Sequence, residues 1–160
     1  MEWGTAIHLL LDVAMKRPGA DLVPLAEAVL AEQGLDRALA QTAVEEVKTV
    51  MSSGIWQRAV KSRQRFTEIP FQMLLEEGVS VPTLLRGGID LVFREDGGWV
   101  IVDYKTDLFR GRSPDGFVQK YAPQVLLYAR AWERCTGEKV KETALYFLRE
   151  TLYVPVPCRG

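Results

Sequence analysis

The dipeptide Asp96-Gly97 stands between two apolar runs, Ile89-Asp90-Leu91-Val92-Phe93 and Trp99-Val100-Ile101-Val102-Asp103. Asp-Gly accepts the positive φ angles that a two-residue hairpin turn demands, so the chain is expected to double back here. One strand is read over 85–93 and the next over 99–105. A two-residue loop sets Asp90 directly opposite Asp103, and opposed residues share a face with Cβ atoms about 4.5–5.5 Å apart. A three- or five-residue loop would shift that register by one. Two carboxylates so placed repel each other, and a divalent cation between them removes the cost. Lys105, two positions beyond Asp103, points to the same face. An apolar strand that ends by projecting Asp and Lys together is an expensive use of core unless the pair does chemistry.

Upstream of the hairpin the period is helical. Ile7, Leu10, Leu11 and Ala14 form one stripe, and Leu22, Leu25, Ala28 and Val29 a second, with Pro24 near its start and Gly34 past its end. Ala40, Ala43, Val44, Val47, Val50 and Met51 form a third, opened by Asp36 as N-cap. Ile55, Trp56, Ala59 and Val60 make a short fourth. From Arg65 the period changes: 66–76 and 79–85 read as extended, and 140–149 and 152–156 as closing strands. Residues 106–116 read as a polar loop holding Arg110, Arg112 and Pro114. The next helix is expected to start near Pro123 and run to about Arg134, with Gly137 as its stop. No repeat, low-complexity tract or linker interrupts the chain. The expected architecture is α/β, a mixed sheet flanked by helices. It forms one domain whose residues 1–64 are mostly helical and whose residues 65–160 carry the sheet and a flanking helix.

Composition narrows the function. The 160 residues suffice for a real core, and no uncharged apolar run approaches membrane-spanning length. Met1-Glu2-Trp3-Gly4 offers no basic leader, which speaks against a signal peptide. Cys135 and Cys158 lack zinc or redox spacing and suit a reduced, cytosolic setting. With a net charge of −1, a polyanionic partner would have to be held by local basic clusters and metal rather than by the overall field. No phosphate-cradling Gly-x-x-x-x-Gly-Lys-Ser/Thr loop is present, so no ATP site is expected in this chain.

Five pieces then occur in order: Gly4-Thr5-Ala6-Ile7-His8, Glu68-Ile69-Pro70-Phe71, Gly87-Gly88-Ile89-Asp90-Leu91-Val92, Asp103-Tyr104-Lys105-Thr106 and Gln124-Val125-Leu126-Leu127-Tyr128-Ala129. Together they resemble the RecB-like nuclease family of the PD-(D/E)XK superfamily, and in particular the C-terminal nuclease domain of AddA-type helicase–nucleases. The resemblance implies a restriction-endonuclease-like mixed central sheet flanked by helices, with an N-terminal helical segment. It implies a Mg²⁺-dependent DNA exonuclease acting on single strands or duplex ends in double-strand-break processing, in the bacterial cytoplasm at the nucleoid. The partner would be a helicase motor, either fused to this domain or carried on a separate subunit. That the chain opens directly on the first motif suggests a domain of such a larger enzyme. By the same resemblance His8, Asp90, Asp103 and the main-chain carbonyl of Tyr104 would hold the metal, Lys105 would be the catalytic lysine, and Gln124 and Tyr128 would border the site. Glu68 is carried as an auxiliary residue, and Arg110 and Arg112 as contacts to nucleic acid. Some relatives bind an iron–sulfur cluster through four cysteines; a chain with two cannot.

The chemistry suits these residue types. Hard cations choose oxygen ligands, and an imidazole in the set would also admit Mn²⁺. Lys105 could orient the attacking water or neutralise charge near the phosphate. Each residue also has a plainer reading. Asp103 and Lys105 could be a surface pair at a strand end, His8 a hydrogen-bonded helix residue, and Glu68 the partner of a neighbouring arginine. Gln124 and Tyr128 could be a half-buried helix face. Arg58, Lys61, Arg63 and Arg65 form the densest basic run, which either tracks a DNA backbone or is a solvated helix face. The rival functions are an inactive nuclease fold that binds DNA or a protein partner, and a stand-alone nuclease of the same fold. Intact Asp90, Asp103 and Lys105 argue against the first, and the missing cysteines against the second.

Overall fold

The structure, a computed structural model, describes residues 2–158. Four helices come first: α1 (Glu2–Lys16), α2 (Leu22–Glu32), α3 (Ala40–Met51) and α4 (Gly54–Lys61). The first N–H groups of a helix have no partner within it, and side-chain oxygens supply one. Asp21 accepts from Val23 N at the start of α2, and Ser53 from Trp56 N at the start of α4. Asp36 caps a 3₁₀ turn, Arg37–Leu39, and α3 begins only after it. The buried stripe of α2 is Leu22, Ala26, Val29 and Leu30, so Ala28 faces water instead of core.

The sheet follows, with β1 (Arg65–Leu75), β2 (Thr83–Glu95), β3 (Gly98–Lys105), then α5 (Asp115–Thr136), β4 (Val140–Phe147) and β5 (Leu152–Val156). The strands lie in chain order, and only β3 and β4 pair in parallel. Parallel neighbours need a crossover, which α5 provides. Glu95 pairs with Gly98, so Asp96-Gly97 is the two-residue loop, with Gly97 at φ 89°. No described helix is long and apolar enough to cross a membrane.

Two sequence expectations fail here. Residues 79–85 are no separate strand: the chain turns through Gly78 at φ 75°, and β2 opens at Thr83. And α5 starts at Asp115, carrying Pro123 inside it. Proline removes the bond to the carbonyl four residues back, here that of Gln119. Both residues are exposed, so water can reach that carbonyl and the helix continues.

Side chains alternate along β3: Val100, Val102 and Tyr104 pack with α1–α4, while Trp99 and Ile101 pack with α5. A strand covered on both faces reads as an unbroken apolar run, and β3 is buried from its first residue until Lys105. On β2 the alternation slips. Phe93 and Leu91 face the α1–α4 side, but Ile89, two residues on, faces α5. β1 does the same: Thr67 donates to Asp12 of α1, whereas Ile69 packs on the α5 side. The reversal falls at Glu68 and Asp90, and Glu68 takes it up with a φ of 50°, in the left-handed region. Register survives, with Thr67 opposite Leu91 and Ile69 opposite Ile89.

The basic run divides by environment. Arg58 reaches Glu95 at 2.8 Å and Glu142 at 2.9 Å, fastening α4 to β2 and β4, so it is structural. These bonds hold the Glu95 carboxyl down at about 2, with Lys141 helping against burial. The folded value lies below the ordinary one, so the stabilisation is present above about pH 4.5 and fades as pH falls toward 2. The Arg58 side chain is 36% exposed, so Arg58→Met should cost about 1 kcal/mol or a little more, not the several of a fully buried pair. Urea unfolding should show that gap at pH 7 and its narrowing below pH 4.5, with DNA affinity unchanged.

Candidate active site

The hairpin ladder runs from Glu95–Gly98 to Leu91–Val102 and stops one pair short of Asp90 and Asp103. It stops because the Asp90 carboxylate takes the next donor: Tyr104 N–H bonds Asp90 Oδ2 at 2.8 Å. Asp90 and Asp103 are side-chain neighbours, both buried, as the register predicts. α1 approaches from the other side. Its Gly4 lies so close to the chain after β3 that an added Cβ would stand 3.2 Å from Thr106 Oγ1. That approach brings His8 Nε2 to 3.0 Å from Asp90 Oδ2 and 3.1 Å from the Tyr104 carbonyl oxygen. The other ring nitrogen, Nδ1, lies 2.7 Å from the Gly4 carbonyl, one helical turn back.

With an acceptor at each nitrogen, the ring is held as an imidazolium. Burial opposes that charge, but the hydrogen bond to Asp90 and the attraction of its carboxylate outweigh it, raising His8 to about 9. The two aspartates are driven apart. Burial works against Asp90 as an anion, yet His8 and the Tyr104 N–H hold it below the ordinary carboxylate range. Burial and the charge on Asp90 push Asp103 up, to about 7, against the pull of Lys105. Glu68 stands at the rim of the same cleft and is still open to solvent on one side; partial burial and Asp90 push it up to about 7.

Lys105 Nζ lies 2.7 Å from Asp103 Oδ2 and donates to Gln124 Oε1 at 2.9 Å. Asp103 Oδ2 is nonetheless buried without a hydrogen bond, because the lysine contact is close but poorly aligned. Tyr128, one turn beyond Gln124 on α5, packs edge-on against Phe71 with centroids 5.3 Å apart. Its hydroxyl is pushed well up by burial, and then by Asp103 and Asp90. Gly87 makes room for both rings. A Cβ there would sit 2.8 Å from Phe71 Cε1 and 3.4 Å from Tyr128 Cε1. Gly87→Ala should therefore cost about 1–2 kcal/mol and lower turnover about tenfold through a displaced Tyr128, checked by melting temperature and kcat.

The cleft over these groups has a volume of about 640 Å³ and is lined by His8, Glu68, Asp90, Thr106, Asp107 and Tyr121, among others. Arg110 and Arg112 do not line it. They stand exposed on the loop after β3, with Arg112 donating to the Phe109 carbonyl at 3.2 Å and lying over Phe117. Asp107 and Tyr121 were not singled out by sequence reasoning. The signal was their position, since Tyr121 precedes Gln124 by three residues on the same helix face. A helix starting near Pro123 leaves Tyr121 outside it and hides that relation.

The donor chemistry of these residues decides whether a metal ion fits. Among the described residues, no three His, Cys, Asp or Glu side chains stand at the spacing of a ready metal cluster. The fourth donor is main chain, the Tyr104 carbonyl. Two adjacent buried carboxylates, one of them with an orphaned oxygen, plus a carbonyl and an imidazole, fit a hard divalent ion.

Comparison with known proteins decides the family. The model of the PD-(D/E)XK nuclease superfamily matches residues 1–154. The chain belongs to the PD-(D/E)XK nuclease superfamily. Its mixed five-stranded sheet between helices is the arrangement expected of that superfamily. The chain is 37% identical over 111 residues to the AddA component of the ATP-dependent helicase/nuclease of Carboxydothermus hydrogenoformans, covering 64% of this chain and 10% of that protein. It is 31% identical over 168 aligned positions to the protein of the same name from Bacillus cereus strain Q1, covering 91% of this chain and 13% of that protein. The match to the Bacillus thuringiensis strain Al Hakam protein is 32% over the same share of both chains. The chain thus spans about a tenth of the length of these curated relatives.

Proposed function

We propose that this PD-(D/E)XK domain is a Mg²⁺-dependent deoxyribonuclease that removes nucleotides from DNA ends. A helicase motor, fused or separate, would feed it single strand or duplex end during double-strand-break processing in the bacterial cytoplasm. The observation that carries this reading is one meeting point. His8 Nε2 stands 3.0 Å from Asp90 Oδ2 and 3.1 Å from the Tyr104 carbonyl, with Asp103 and the Lys105 ammonium alongside. The relatives support the motor: they are named as helicase/nuclease subunits and are far longer than this chain.

His8, Asp90, Asp103 and the Tyr104 carbonyl would hold the ion, and the same set would accept Mn²⁺. A bound Mg²⁺ supplies an acidified water and a polarised phosphate. The chain's own residues supply position and charge. Asp90 enters as an anion, and Asp103 yields its proton on taking up a cation. Lys105 holds an ammonium beside Asp103, where it can orient a water or meet charge on the phosphate. Gln124 fixes that ammonium from α5, and Tyr128 closes the floor of the cleft against water. Glu68, with its strained backbone, sits where it can reach the rim of the ion's shell. Arg110 and Arg112, outside the cleft, are placed to meet phosphates of the strand beyond the reacting one.

The test uses DNA labelled at the 5′ or the 3′ end, as single strand, as linear duplex and as covalently closed circle. Each is incubated with Mg²⁺, Mn²⁺ or EDTA. Shortening of linear DNA with either ion, with none in EDTA and the closed circle intact, is the expected result. Nicking of the closed circle would replace end digestion by internal cutting. DNA binding without cutting under either ion would favour a binding module.

A further inference from the structure

Lys105 is the first residue of β3 to leave the core, and a lysine stem loses much rotamer freedom when its ammonium is fixed. Asp103 and Gln124 give it two polar contacts. A third is aromatic: the ring centroid of Tyr121 lies 4.2 Å from Lys105 Nζ, well inside the distance at which a π face attracts a cation. Tyr121 is itself tethered, because its hydroxyl donates to Asp107 Oδ1 at 3.0 Å. That bond ties α5 to the segment that leaves β3, so the ring cannot swing away from the lysine. Lys120 Nζ also lies 4.9 Å from the same centroid, but Lys120 is exposed and solvated, whereas the Lys105 side chain is only 15% exposed.

We propose that Tyr121, locked by Asp107, is a positioning residue whose ring face, together with the Gln124 amide, seats the Lys105 ammonium against Asp103. The seat is needed because the Asp103 contact is close but off the hydrogen-bonding angle, so it attracts the ammonium without fixing its direction. The effect on rate rests on the nuclease reading above; the seat itself does not.

Two measurements separate these. Reductive dimethylation keeps lysine charged and marks each amine with ¹³C methyls. In the wild type, one methyl resonance, identified by its absence in Lys105→Arg, should lie upfield, in the ring current of Tyr121. It should return to the ordinary position in Tyr121→Leu and stay upfield in Tyr121→Phe, which keeps the ring. An unshifted Lys105 resonance in the wild type overturns the proposal without any variant having to fold. The second measurement is DNA cutting at saturating Mg²⁺. Tyr121→Leu should lower kcat about tenfold with KM for DNA unchanged, and Tyr121→Phe should recover it to within about threefold. Loss through KM alone would make Tyr121 a substrate contact, and equal losses in both variants would place the effect on the hydroxyl; either result overturns the proposal. A wild type that cuts no DNA yet shows the upfield resonance would remove the nuclease reading and leave the seat standing.

Discussion

Asp103→Asn should give a protein that melts higher than the wild type and does not cut DNA. Asp103 sits buried beside Asp90, and that pairing raises its carboxyl to about 7. A folded value above the ordinary 3.8 means that the ionised side chain works against folding. Below about pH 4 the carboxyl is protonated in both states and the penalty is absent. It grows as pH rises through 4 to 7 and is complete above 7. The amide carries no charge at any pH, so in EDTA the variant should gain about 1–3 kcal/mol at pH 8, and the gain should vanish near pH 4. Scanning calorimetry at the two pH values checks the sign. Activity moves the other way, because an amide is a poor ligand for a hard cation. Cutting should fall at least about 10³-fold, and the rise in melting temperature that Mg²⁺ gives the wild type should shrink. Unchanged melting in EDTA would mean that the two carboxylates do not repel.

Lys105→Met should lower kcat about 10²–10³-fold while leaving the ion bound. Methionine keeps most of the stem's volume, so the cleft wall stays packed and only the ammonium is lost. Lys105 is no ligand, and its removal takes a positive charge away from the cation's surroundings. Calorimetric titration with Mn²⁺ should therefore show affinity equal to the wild type or tighter. Stability without metal should fall, since Asp103 keeps the repulsion of Asp90 and loses its counter-charge. The two variants thus split cleanly: Asp103→Asn loses metal and gains stability, and Lys105→Met keeps metal and loses stability. A Lys105→Met protein that neither cuts nor binds Mn²⁺ would make the lysine a structural part of the metal site.

The hairpin was readable because one dipeptide decided it. Asp96-Gly97 allows a single tight loop, and from that loop the neighbourhood of Asp90 and Asp103 follows by counting. Helical stripes were readable for the same reason, as period-bearing apolar residues with caps at their ends. The reversal of faces at Glu68 and Asp90 was not. Ile89 and Leu91 look like same-face residues of one strand, and nothing in the letters says that a glutamate will adopt a φ of 50°. Proline misled for a related reason. Pro123 is a good first residue for a helix, and its tolerance inside α5 depends on solvent reaching Gln119, a fact of three dimensions. Asp107 and Tyr121 went unread with it. The Tyr104 carbonyl is main chain and has no letter at all; only the resemblance to known nucleases pointed there.

His8 enters the cleft from the first helix, while the groups it meets are 82 and 96 residues further along the chain. Contacts so distant in sequence close late, after the loop entropy of the whole span has been overcome. The first helix is also cemented to three others before it can present its imidazole. An unfinished chain on the ribosome, or one whose helical layer has come loose, therefore owns both aspartates and the lysine yet lacks an assembled centre. Completeness of folding acts as the safety catch on a hydrolase that shares its compartment with the chromosome.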